Sequence, residues 1–585
     1  MAVESRPEAD PVHAASDALA TGNLLRAYDV ATTALDKGAT HPRLRYLQVL
    51  SLARMGEVAR AAMLYGRHLR GETDDLDIMA LRARLMKDAA WRAGADEQAQ
   101  LLSDASAAYE TIFARTHNAF PAVNAASLAF LAGQEERSAR LAREALSALG
   151  DGPPGDYYAA ATAAEAQLVL GNDAAAEDAI ELALLLPGCD HGARSSTSRQ
   201  IARIVEASGR GGGIVARLRP PPVIVFCGHM LVEDAETEAR LTARINAVLD
   251  ETGSTIGYGA LACGADILIA EAILARGGEL NIVLPFLVED FIKTSVRPGG
   301  DGWVARFERC VAEAADVVIA SETHALGDER QYKYASLLMM GYARLRGIHL
   351  DTRAIQLAVW DEKPIQGDAG TAADVRLWRE HGGEMRVIPF DRSALPRPRP
   401  AKLATLVSTE RAVRGMMFAD FAGFSKIDEA KLPDFWETVL TQVAAVVNRY
   451  DADVCSRNTW GDALYVVTTG ATAAANLALD LQEAMGQTHF AAFGGGAGMR
   501  ISAHLGSVYQ AIDPVTNKTT FFGREVNRTA RIEPIASVGE VYVTRAFGAV
   551  LSMESPESFD LSYVGRVLLA KKSGEEPMYR LTRAN

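Results

Sequence analysis

The chain has 585 residues, of which 49% are hydrophobic and 23% charged, a composition typical of a soluble globular protein. Its 60 basic and 74 acidic residues give a formal net charge of −14. That charge argues against general nucleic-acid binding, because such binding needs basic surface. The chain is too long to fold around a single hydrophobic core, so we expect three or four domains.

Signals for export or membrane insertion are not apparent in the sequence. The five cysteines show no CxxC spacing, so neither a disulfide framework nor a zinc site is expected and a reducing cytoplasm fits. The chain does not start with a basic segment followed by an apolar one. No apolar run approaches the roughly 20 residues that cross a bilayer. We therefore expect a cytoplasmic protein that does not enter a membrane.

Residues 13–207 are rich in Ala, Leu, Arg and Glu, which predicts helices. A glycine recurs at intervals of 34, 38, 39 and 38 residues, each followed five residues later by a small residue; these glycines are Gly22, Gly56, Gly94, Gly133 and Gly171. Such spacing suits helical hairpins that touch through small side chains. The segment resembles tetratricopeptide repeats, which implies an N-terminal α-solenoid able to bind a protein partner. A plain all-α domain is the alternative.

A glycine- and proline-rich stretch over 208–222 predicts a linker, and a different pattern follows it. Apolar strands near 223–226, 280–284 and 316–321 alternate with helices, which predicts a parallel sheet with helices on both faces. Glycines at strand ends beside helix starts can cradle an anion, because free backbone N–H groups point there. No intact GxGxxG motif is present, so the dinucleotide fingerprint is not met.

Three pieces of residues 220–391 carry a resemblance to SLOG-type Rossmann-like domains: the FCGH run ending at His229, the GALACGAD run ending at Asp266, and LPF at 284–286. The resemblance implies a central α/β domain that senses a nucleotide-derived ligand, with a site at Gly228, His229, Gly264, Asp266 and Glu271. A simpler interpretation stays open, since glycines serve turns and acids favour helix starts without any ligand. A hydrolase that cleaves a nucleotide N-glycosidic bond is a further alternative, although no paired acid/base motif supports it.

A proline-spaced linker is predicted over 392–402, and residues 410–585 then form a third domain. Strands are predicted at 414–418, around Asp462, and at 499–505, 540–544 and 578–581. Helices are predicted at 432–450, at 471–485 and from 523, with a hairpin at 513–518. This order favours an α+β sandwich. Asp420 and Asp462 both stand where a strand is expected to end or begin, and paired carboxylates of this kind can share divalent cations beside a phosphate.

This third segment resembles the class III nucleotidyl cyclases, through several motifs in the family's order. The first metal motif matches Phe418, Asp420, Gly423 and Phe424; the Gly-Asp motif matches Gly461 and Asp462; and the Asn-x-x-x-Arg motif matches Asn527 and Arg531. The late lysine is best matched by Lys572, ahead of Pro577, with Lys571 adjacent. The resemblance implies a ferredoxin-like α+β catalytic domain.

The resemblance also implies a reaction, in which the ribose 3′-hydroxyl attacks the α-phosphorus of its own nucleoside triphosphate and pyrophosphate leaves. Two Mg²⁺ or Mn²⁺ ions per site are expected, held by Asp420, Asp462 and the backbone at Phe421. Asn527 would orient the ribose, Arg531 would stabilise charge on the α-phosphate, and Lys572 would meet the terminal phosphates. The backbone at Phe421, Gly423 and Phe424 would bind phosphate.

The base-reading positions of the family correspond to Asn458 and Thr520. Adenylyl members usually carry Lys at the first and Asp or Thr at the second, whereas guanylyl members carry Glu and Cys, so GTP is disfavoured. An amide and a hydroxyl both donate and accept hydrogen bonds, so ATP is the first choice, and a UTP or CTP cyclase of a defence-type signalling system is the alternative.

The family's active site lies between two cyclase domains, and this chain carries both sets of residues in one. The resemblance therefore implies a homodimer with two sites, regulated by the helical and Rossmann-like parts. A non-catalytic sensor or scaffold that keeps the fold for dimerisation is the competing hypothesis.

Overall fold

The computed structural model describes residues 10–584 apart from 72–73, 151, 365–366, 394, 400–410, 487–492, 494–497 and 571–573. The chain divides into two compact units. The first comprises residues up to Pro220 together with Ile348–Thr352, and the second comprises Pro221–Gly347 and the chain from Arg353 onward. Within the described ranges, no helix combines the length and the apolar character needed to span a bilayer.

The first unit is built of helices, and most consecutive helices pack against each other. They are α1 (Pro11–Ala20), α2 (Leu24–Asp36), α3 (Pro42–Arg54), α4 (Val58–His68), α5 (Leu76–Ala90), α6 (Ala95–Thr116), α7 (Ala119–Leu131), α8 (Glu135–Leu149), α9 (Tyr157–Val169), α10 (Asp173–Ala183), α11 (His191–Ser208) and α12 (Gly212–Leu218). The predicted helical repeats are confirmed.

The repeated glycines lie at the turns between helices, with one departure. Four of them have positive φ angles: Gly22 at 73°, Gly56 at 86°, Gly133 at 74° and Gly171 at 83°. The small residues five positions after these four are buried at helix contacts: Ala27, Ala61, Ser138 and Ala176. Gly94 instead caps the start of α6 with a φ of −64°, and Ala99 is exposed. Gly94 therefore belongs to a different kind of turn from the other four glycines.

Part of the predicted linker over 208–222 is a helix. Helix α12 follows Gly211, and its side chains Ile214 and Leu218 are fully buried in the core of the first unit. Their burial outweighs the low helix propensity of the adjoining glycines. The linker interpretation was therefore wrong for these residues.

The central part of the second unit is a parallel sheet, as predicted. Its strands are β1 (Val223–Gly228), β2 (Ile256–Gly259), β3 (Glu279–Leu284), β4 (Asp316–Ile319), β5 (Ala354–Trp360) and β6 (Glu384–Pro389), in the order β4-β3-β2-β1-β5-β6. Every neighbouring pair is parallel. Its helices are α13 (Ala235–Thr252), α14 (Ala265–Leu274), α15 (Val288–Phe291), α16 (Asp301–Glu313), α17 (Glu329–Leu350) and α18 (Thr371–Glu380). The strand order reverses at β1, where doubly wound folds place their ligands.

The C-terminal part forms a mixed sheet of β7 (Arg411–Phe421), β8 (Val454–Trp460), β9 (Ala463–Thr468), β10 (Met499–Ile512), β11 (Thr519–Phe522), β12 (Val541–Thr544), β13 (Phe559–Leu568) and β14 (Glu575–Arg583). The order is β13-β14-β12-β10-β7-β9-β8, with β11 paired to β10. Its helices are α19 (Leu432–Phe435), α20 (Thr441–Asn448), α21 (Ala471–Gly486), α22 (Arg524–Ile532) and α23 (Arg545–Glu554). The predicted α+β class is confirmed.

Asp462 directly precedes β9, at a strand end as predicted, but two strands flank it where one was expected. Strands β8 and β9 form an antiparallel hairpin with Trp460 opposite Ala463, and Gly461 turns the chain at a φ of 63°. Strand β8 escaped the sequence interpretation because its residues are largely exposed and polar. The hairpin is what delivers Asp462 to the sheet edge.

Candidate active site

Two carboxylates meet at one edge of the C-terminal sheet. Asp420 is the next-to-last residue of β7, and Asp462 immediately precedes β9, the strand paired with β7. Burial, and then the charge and a hydrogen bond of the nearby Asp420, raise the pKa of Asp462 to about 6. The structure therefore brings together the two acids that the sequence singled out.

Two further charged residues join this pair, and sequence reasoning missed both. Arg500 on β10 lies opposite Asp420 in the antiparallel register, and its guanidinium makes an ion pair with the Asp420 carboxylate. Arg500 Nε also lies 3.2 Å from Glu533 Oε1. Burial, and then the charges of Asp420 and Asp462, raise the pKa of Glu533 to about 7 despite Arg500. Arg500 belongs to no recognisable motif, so only the register of β10 against β7 shows that it lies beside Asp420.

The turn after β7 presents backbone and not side chains to a ligand. The Phe421 and Phe424 rings pack against Phe435, with centroids 5.1 Å and 5.3 Å from its ring. Gly423 has a φ of 85°, which favours glycine. The N–H groups of Gly423 and Phe424 donate to no other described residue. Two free N–H groups beside Asp420 are suited to phosphate oxygens.

Helix α22 carries Asn527 and Arg531 one turn apart. Asn527 is exposed and Arg531 is half-buried. Within the described ranges, neither side chain makes a hydrogen bond or an ion pair, so a single copy of the chain does not engage them with Asp420 or Asp462. Lys572 and Lys571 lie outside the described residues.

The two base-reading candidates lie on neighbouring strands. Asn458 is an exposed residue of β8, and Thr520 lies on β11. Ser456 Oγ donates to the Thr519 carbonyl over 3.1 Å, which ties these two strands together. Strands β8 and β11, which carry Asn458 and Thr520, therefore lie next to each other.

The candidates of the central domain separate into two groups. The Ala265 N–H donates to the His229 carbonyl over 3.2 Å, which holds the loop of Gly264 and Asp266 against the end of β1. A Cβ on Gly228 would lie 2.3 Å from the Ala265 side chain, so this glycine is needed for close packing. Glu271 instead makes ion pairs with Arg306 (2.5 Å) and Arg309 (3.3 Å).

His229 and Asp266 are both withdrawn from solvent. His229 Nε2 lies 3.1 Å from an Asp361 carboxylate oxygen at the end of β5, and burial lowers the pKa of this imidazole. Asp266 accepts a hydrogen bond from the Ala262 N–H at 3.1 Å, and burial raises the pKa of its carboxyl to about 8. His229 and Asp361 therefore mark the ends of β1 and β5, where the strand order reverses.

Two family models match the chain. Residues 408–583 match the model described as Adenylate and Guanylate cyclase catalytic domain. This segment is a class III nucleotidyl cyclase domain. Residues 23–129 match Tetratricopeptide Repeats-Sensor, so the cyclase domain is preceded by sensor repeats of the tetratricopeptide type. The SLOG resemblance of the central domain stays a prediction.

Solved structures similar to the cyclase domain are themselves cyclases. The adenylyl cyclase CyaB from P. aeruginosa is 19% identical at a TM-score of 0.27, over 31% of this chain and 98% of that chain. The guanylate cyclase domain of RhGC from Catenaria anguillulae, in complex with GTP, is 20% identical at a TM-score of 0.27, over 30% and 100%. An adenylate cyclase from Trypanosoma brucei is 22% identical at a TM-score of 0.27, over 29% and 89%. No curated protein matches the chain.

Cyclases of this class use divalent metal ions, and the acids of the site fit such an ion. The carboxylates of Asp420 and Asp462 are hard oxygen ligands, and their closeness disfavours two negative charges unless a cation is shared. Among the described residues, no group of three His, Cys, Asp or Glu side chains could hold a metal. A two-carboxylate set is nonetheless what Mg²⁺ uses when substrate phosphates and water complete its coordination.

Proposed function

We propose that the chain converts a nucleoside triphosphate, ATP first, to the 3′,5′-cyclic nucleotide and pyrophosphate, as a cytoplasmic homodimer regulated by its N-terminal domains. The observation that carries this proposal is the position of Asp420 and Asp462 at adjoining ends of the paired strands β7 and β9. The domains we assign are 13–207 for the repeats, 220–391 for the Rossmann-like part and 410–585 for catalysis.

The side chains of the site divide the chemistry. Two Mg²⁺ or Mn²⁺ ions, when bound, would activate the 3′-hydroxyl and neutralise the triphosphate. Asp420 and Asp462, with the Phe421 carbonyl, would hold them, and the N–H groups at Gly423 and Phe424 would orient the phosphates. Asn527 would fix the ribose, and the Arg531 guanidinium would stabilise the charge that grows on the α-phosphate. We assign the terminal phosphates to Lys572.

A second copy of the chain would complete each site. Asn527 and Arg531 have no side-chain partner among the described residues, so they are available to the active site of a twin subunit. Apolar side chains near the β10–β11 hairpin and β8 are exposed as well: Val515 is 90% and Trp460 56% exposed. Exposed apolar residues of this kind favour an interface. A closed pair would give two equivalent sites.

The base specificity rests on Asn458 and Thr520. Both side chains donate and accept, so they can pair with the amino group and the ring nitrogen of adenine. The same chemistry can also serve a pyrimidine, so a UTP or CTP cyclase is the closest alternative. Neither residue reproduces the Glu and Cys pair of guanylyl members.

The central domain is proposed to sense a nucleotide-derived ligand. Gly228, His229, Gly264 and Asp266 lie together beside the reversal of strand order between β1 and β5. Doubly wound folds bind their ligands at such a reversal, and the start of α14 lies beside it. Glu271 is occupied by Arg306, and a role for it in ligand binding would require that ion pair to break.

Regulation of the cyclase is supported by close packing of the central domain on it within the second unit. A Cβ on Gly341 of α17 would lie 2.3 Å from the Ala549 carbonyl of α23, so the two helices touch through backbone. The Tyr334 hydroxyl donates to the Leu505 carbonyl of β10 over 2.8 Å. Arg545 Nη1 lies 3.0 Å from Asp316 Oδ2. A movement of α17 would therefore displace α23 and β10 of the cyclase domain.

Glu322, in the loop after β4, contacts helix α22 of the cyclase domain directly. Its carbonyl accepts a hydrogen bond from Arg524, and its carboxylate oxygen Oε1 lies 3.3 Å from Arg528 Nη2. Both arginines belong to α22, which also carries Asn527 and Arg531. We propose that Glu322 positions α22 and so links the central domain to the residues that meet substrate.

A non-catalytic scaffold is the second candidate, and one observation favours it. The Arg500 guanidinium already neutralises Asp420 through an ion pair, so the acid pair is partly satisfied without any cation. A protein that only dimerises through this domain would retain that arrangement.

Pyrophosphate release separates the two candidates. Purified full-length protein is incubated with each of ATP, GTP, UTP and CTP and with Mg²⁺ or Mn²⁺, at concentrations where a dimer is demonstrated. The cyclase proposal predicts pyrophosphate and a cyclic mononucleotide, most rapidly from ATP. Release from UTP or CTP alone would establish the alternative substrate, and no release from any nucleotide would leave the scaffold as the function.

A further inference from the structure

The first unit contains a cluster of basic side chains that the cyclase chemistry does not use. Three helices contribute to it: Arg54 ends α3, Arg84 and Lys87 lie on α5, and Arg199 and Arg203 lie on α11. The spacing of three residues on α5 and of four on α11 places each pair on one helix face. We call these five residues the basic cluster.

Direct contacts join the helices that carry the cluster. Arg199 Nη1 donates to the carbonyl of Arg54 over 3.3 Å, so the end of α3 meets α11. The Arg203 guanidinium lies over the ring of Trp91, the residue after α5, with its carbon 3.8 Å from the centroid. The cations therefore share one region inside the helical array.

A polar network adjoins the cluster. Lys87 Nζ donates to Gln200 Oε1 over 3.1 Å, and Gln200 Nε2 donates to Glu165 Oε1 over 3.1 Å. The Ser127 hydroxyl donates to the same Glu165 oxygen over 2.5 Å. These groups fix Lys87 in place and add hydrogen-bonding positions next to the guanidinium groups.

Several donors of the cluster are withdrawn from solvent without a hydrogen bond. Arg54 Nε, Arg84 Nε and Arg203 Nη1 are buried and have no hydrogen-bond partner among the described residues. Arg84 Nε lies 3.3 Å from Asp88 Oδ2, but neither atom is aligned for a hydrogen bond. Buried guanidinium donors without an acceptor are costly, and each calls for an explanation.

Five acids face the five cations of the cluster, and burial shifts the pKa of groups on both sides. Burial lowers the pKa of Arg54, Arg199 and Arg203 and brings the pKa of Lys87 to about 8, and for Arg54 and Lys87 the charge of Arg84 adds to the effect. The facing acids are Asp88, Glu165, Asp190, Asp351 and Glu206. Burial raises the pKa of Glu165 and of Asp190, so these two are weaker counter-charges. An anion would accept from the buried donors that lack a hydrogen bond and would reduce the repulsion of Arg54 and Lys87 by Arg84.

We propose that the basic cluster binds a small anion that carries phosphate groups. Planar guanidinium groups offer paired donors that match phosphate oxygens, and the unpaired donors of Arg54, Arg84 and Arg203 come from three different helices. The site falls partly within residues 23–129, which match sensor repeats. Anion binding would tie α3, α5 and α11 together, which gives the repeats a means of sensing.

Calorimetric titration of the full-length protein in EDTA tests the site, because chelation removes the metal ions that triphosphate binding at the cyclase domain requires. The probes are inorganic phosphate, inorganic pyrophosphate and AMP, with citrate as a carboxylate comparison. We expect saturable binding of at least one phosphate probe. Tighter binding of AMP than of pyrophosphate would identify a nucleotide, and the reverse an inorganic anion.

Variants locate the binding. Arg84→Gln and Arg203→Gln should each weaken it about 10-fold to 100-fold, because each removes a charged hydrogen-bond donor. Arg82→Gln, exposed on the same helix, and Arg531→Ala in the cyclase domain should leave it unchanged. Arg84→Gln should unfold no earlier than the unaltered chain without anion, because it removes like-charge repulsion.

Three results would overturn the proposal. They are no saturable binding of any phosphate probe to the unaltered chain, binding that survives both cluster substitutions, and binding that disappears in Arg531→Ala alone. Citrate that binds as tightly as the phosphate probes would contradict the assignment to phosphate.

Discussion

The two sheets of the second unit both place acids beside strand ends, yet they use them differently. In the central sheet Asp266 is buried behind the ends of β1 and β2, and Glu271 is held by Arg306. In the catalytic sheet Asp420 and Asp462 stand at an open edge and act on each other. Of these acids, the adjacent pair Asp420 and Asp462 is therefore the one suited to share a cation.

Burial is the first cause of the raised pKa at both places. It raises the pKa of Asp266 to about 8, the charge of Asp374 adds to this, and the backbone hydrogen bond from Ala262 opposes it. For Asp462, burial is followed by the charge and a hydrogen bond of Asp420. Two adjacent carboxylates that solvent can reach can share a cation, whereas a cation gains little at a buried carboxyl that is already neutral. The comparison thus favours catalysis at the second sheet.

Removal of one acid from the pair should have the largest effect. Asp420→Asn should lower kcat at least about 1,000-fold, because the cation ligand is lost while the fold is retained. Initial rates of pyrophosphate release measure this, with circular dichroism as the check on folding. Asp560→Asn, exposed on β13, is the matched control and should keep full activity. A well-folded Asp420→Asn protein with more than a tenth of the normal rate would contradict the metal assignment.

Removal of the contact between the central domain and the cyclase domain should have an intermediate effect on kcat. Glu322→Ala removes the contacts with Arg524 and Arg528, so α22 should be held less firmly. We expect kcat to fall about 3-fold to 10-fold with little change in KM. Steady-state kinetics check this, with exposed Glu313→Ala on α16 as the control. A double-mutant cycle with Arg528→Ala should show coupling. Equal effects of Glu322→Ala and Glu313→Ala would argue against a positioning role.

The smallest effect concerns stability and pH. The folded pKa of Asp462 is raised to about 6, so its contribution to stability is full below the unfolded value of 3.8 and is lost as pH rises to about 6. Asp462→Asn should abolish that decline and add about 1 kcal/mol at pH 7 without metal, after allowance for solvent screening. Urea unfolding at pH 4 and pH 7 in EDTA measures it. An unaltered pH dependence would show that the pKa of Asp462 is not raised in the folded chain.

Much of the architecture was predictable because periodic burial and turn residues are local signals. The helical repeats followed from Gly22, Gly56, Gly133 and Gly171, whose positive φ angles the turns require. The exposed strand β8 was missed because a strand with solvent on most of its residues shows no apolar alternation. Helix α12 was missed because burial of Ile214 and Leu218 depends on tertiary contacts.

The site was predictable only where a motif marks it. Asp420 and Asp462 were found from neighbouring glycines and apolar strands, and the structure places them together. Arg500 and Glu533 were missed because their proximity to Asp420 follows from strand register and from the end of α22, which no local pattern encodes. The basic cluster was not predicted for the same reason. Its residues lie on three helices, and more than a hundred residues separate Arg54 from Arg199 along the chain.

Mixing of two inactive variants tests most directly whether acids of one subunit work with Asn527 and Arg531 of its twin. Asp420→Asn and Arg531→Ala should each be inactive alone. After co-expression or subunit exchange, about half of the dimers are mixed, and one of the two sites in each mixed dimer is intact, so activity should return to about a quarter of the normal rate. Mixed dimers that form but remain inactive would contradict the account.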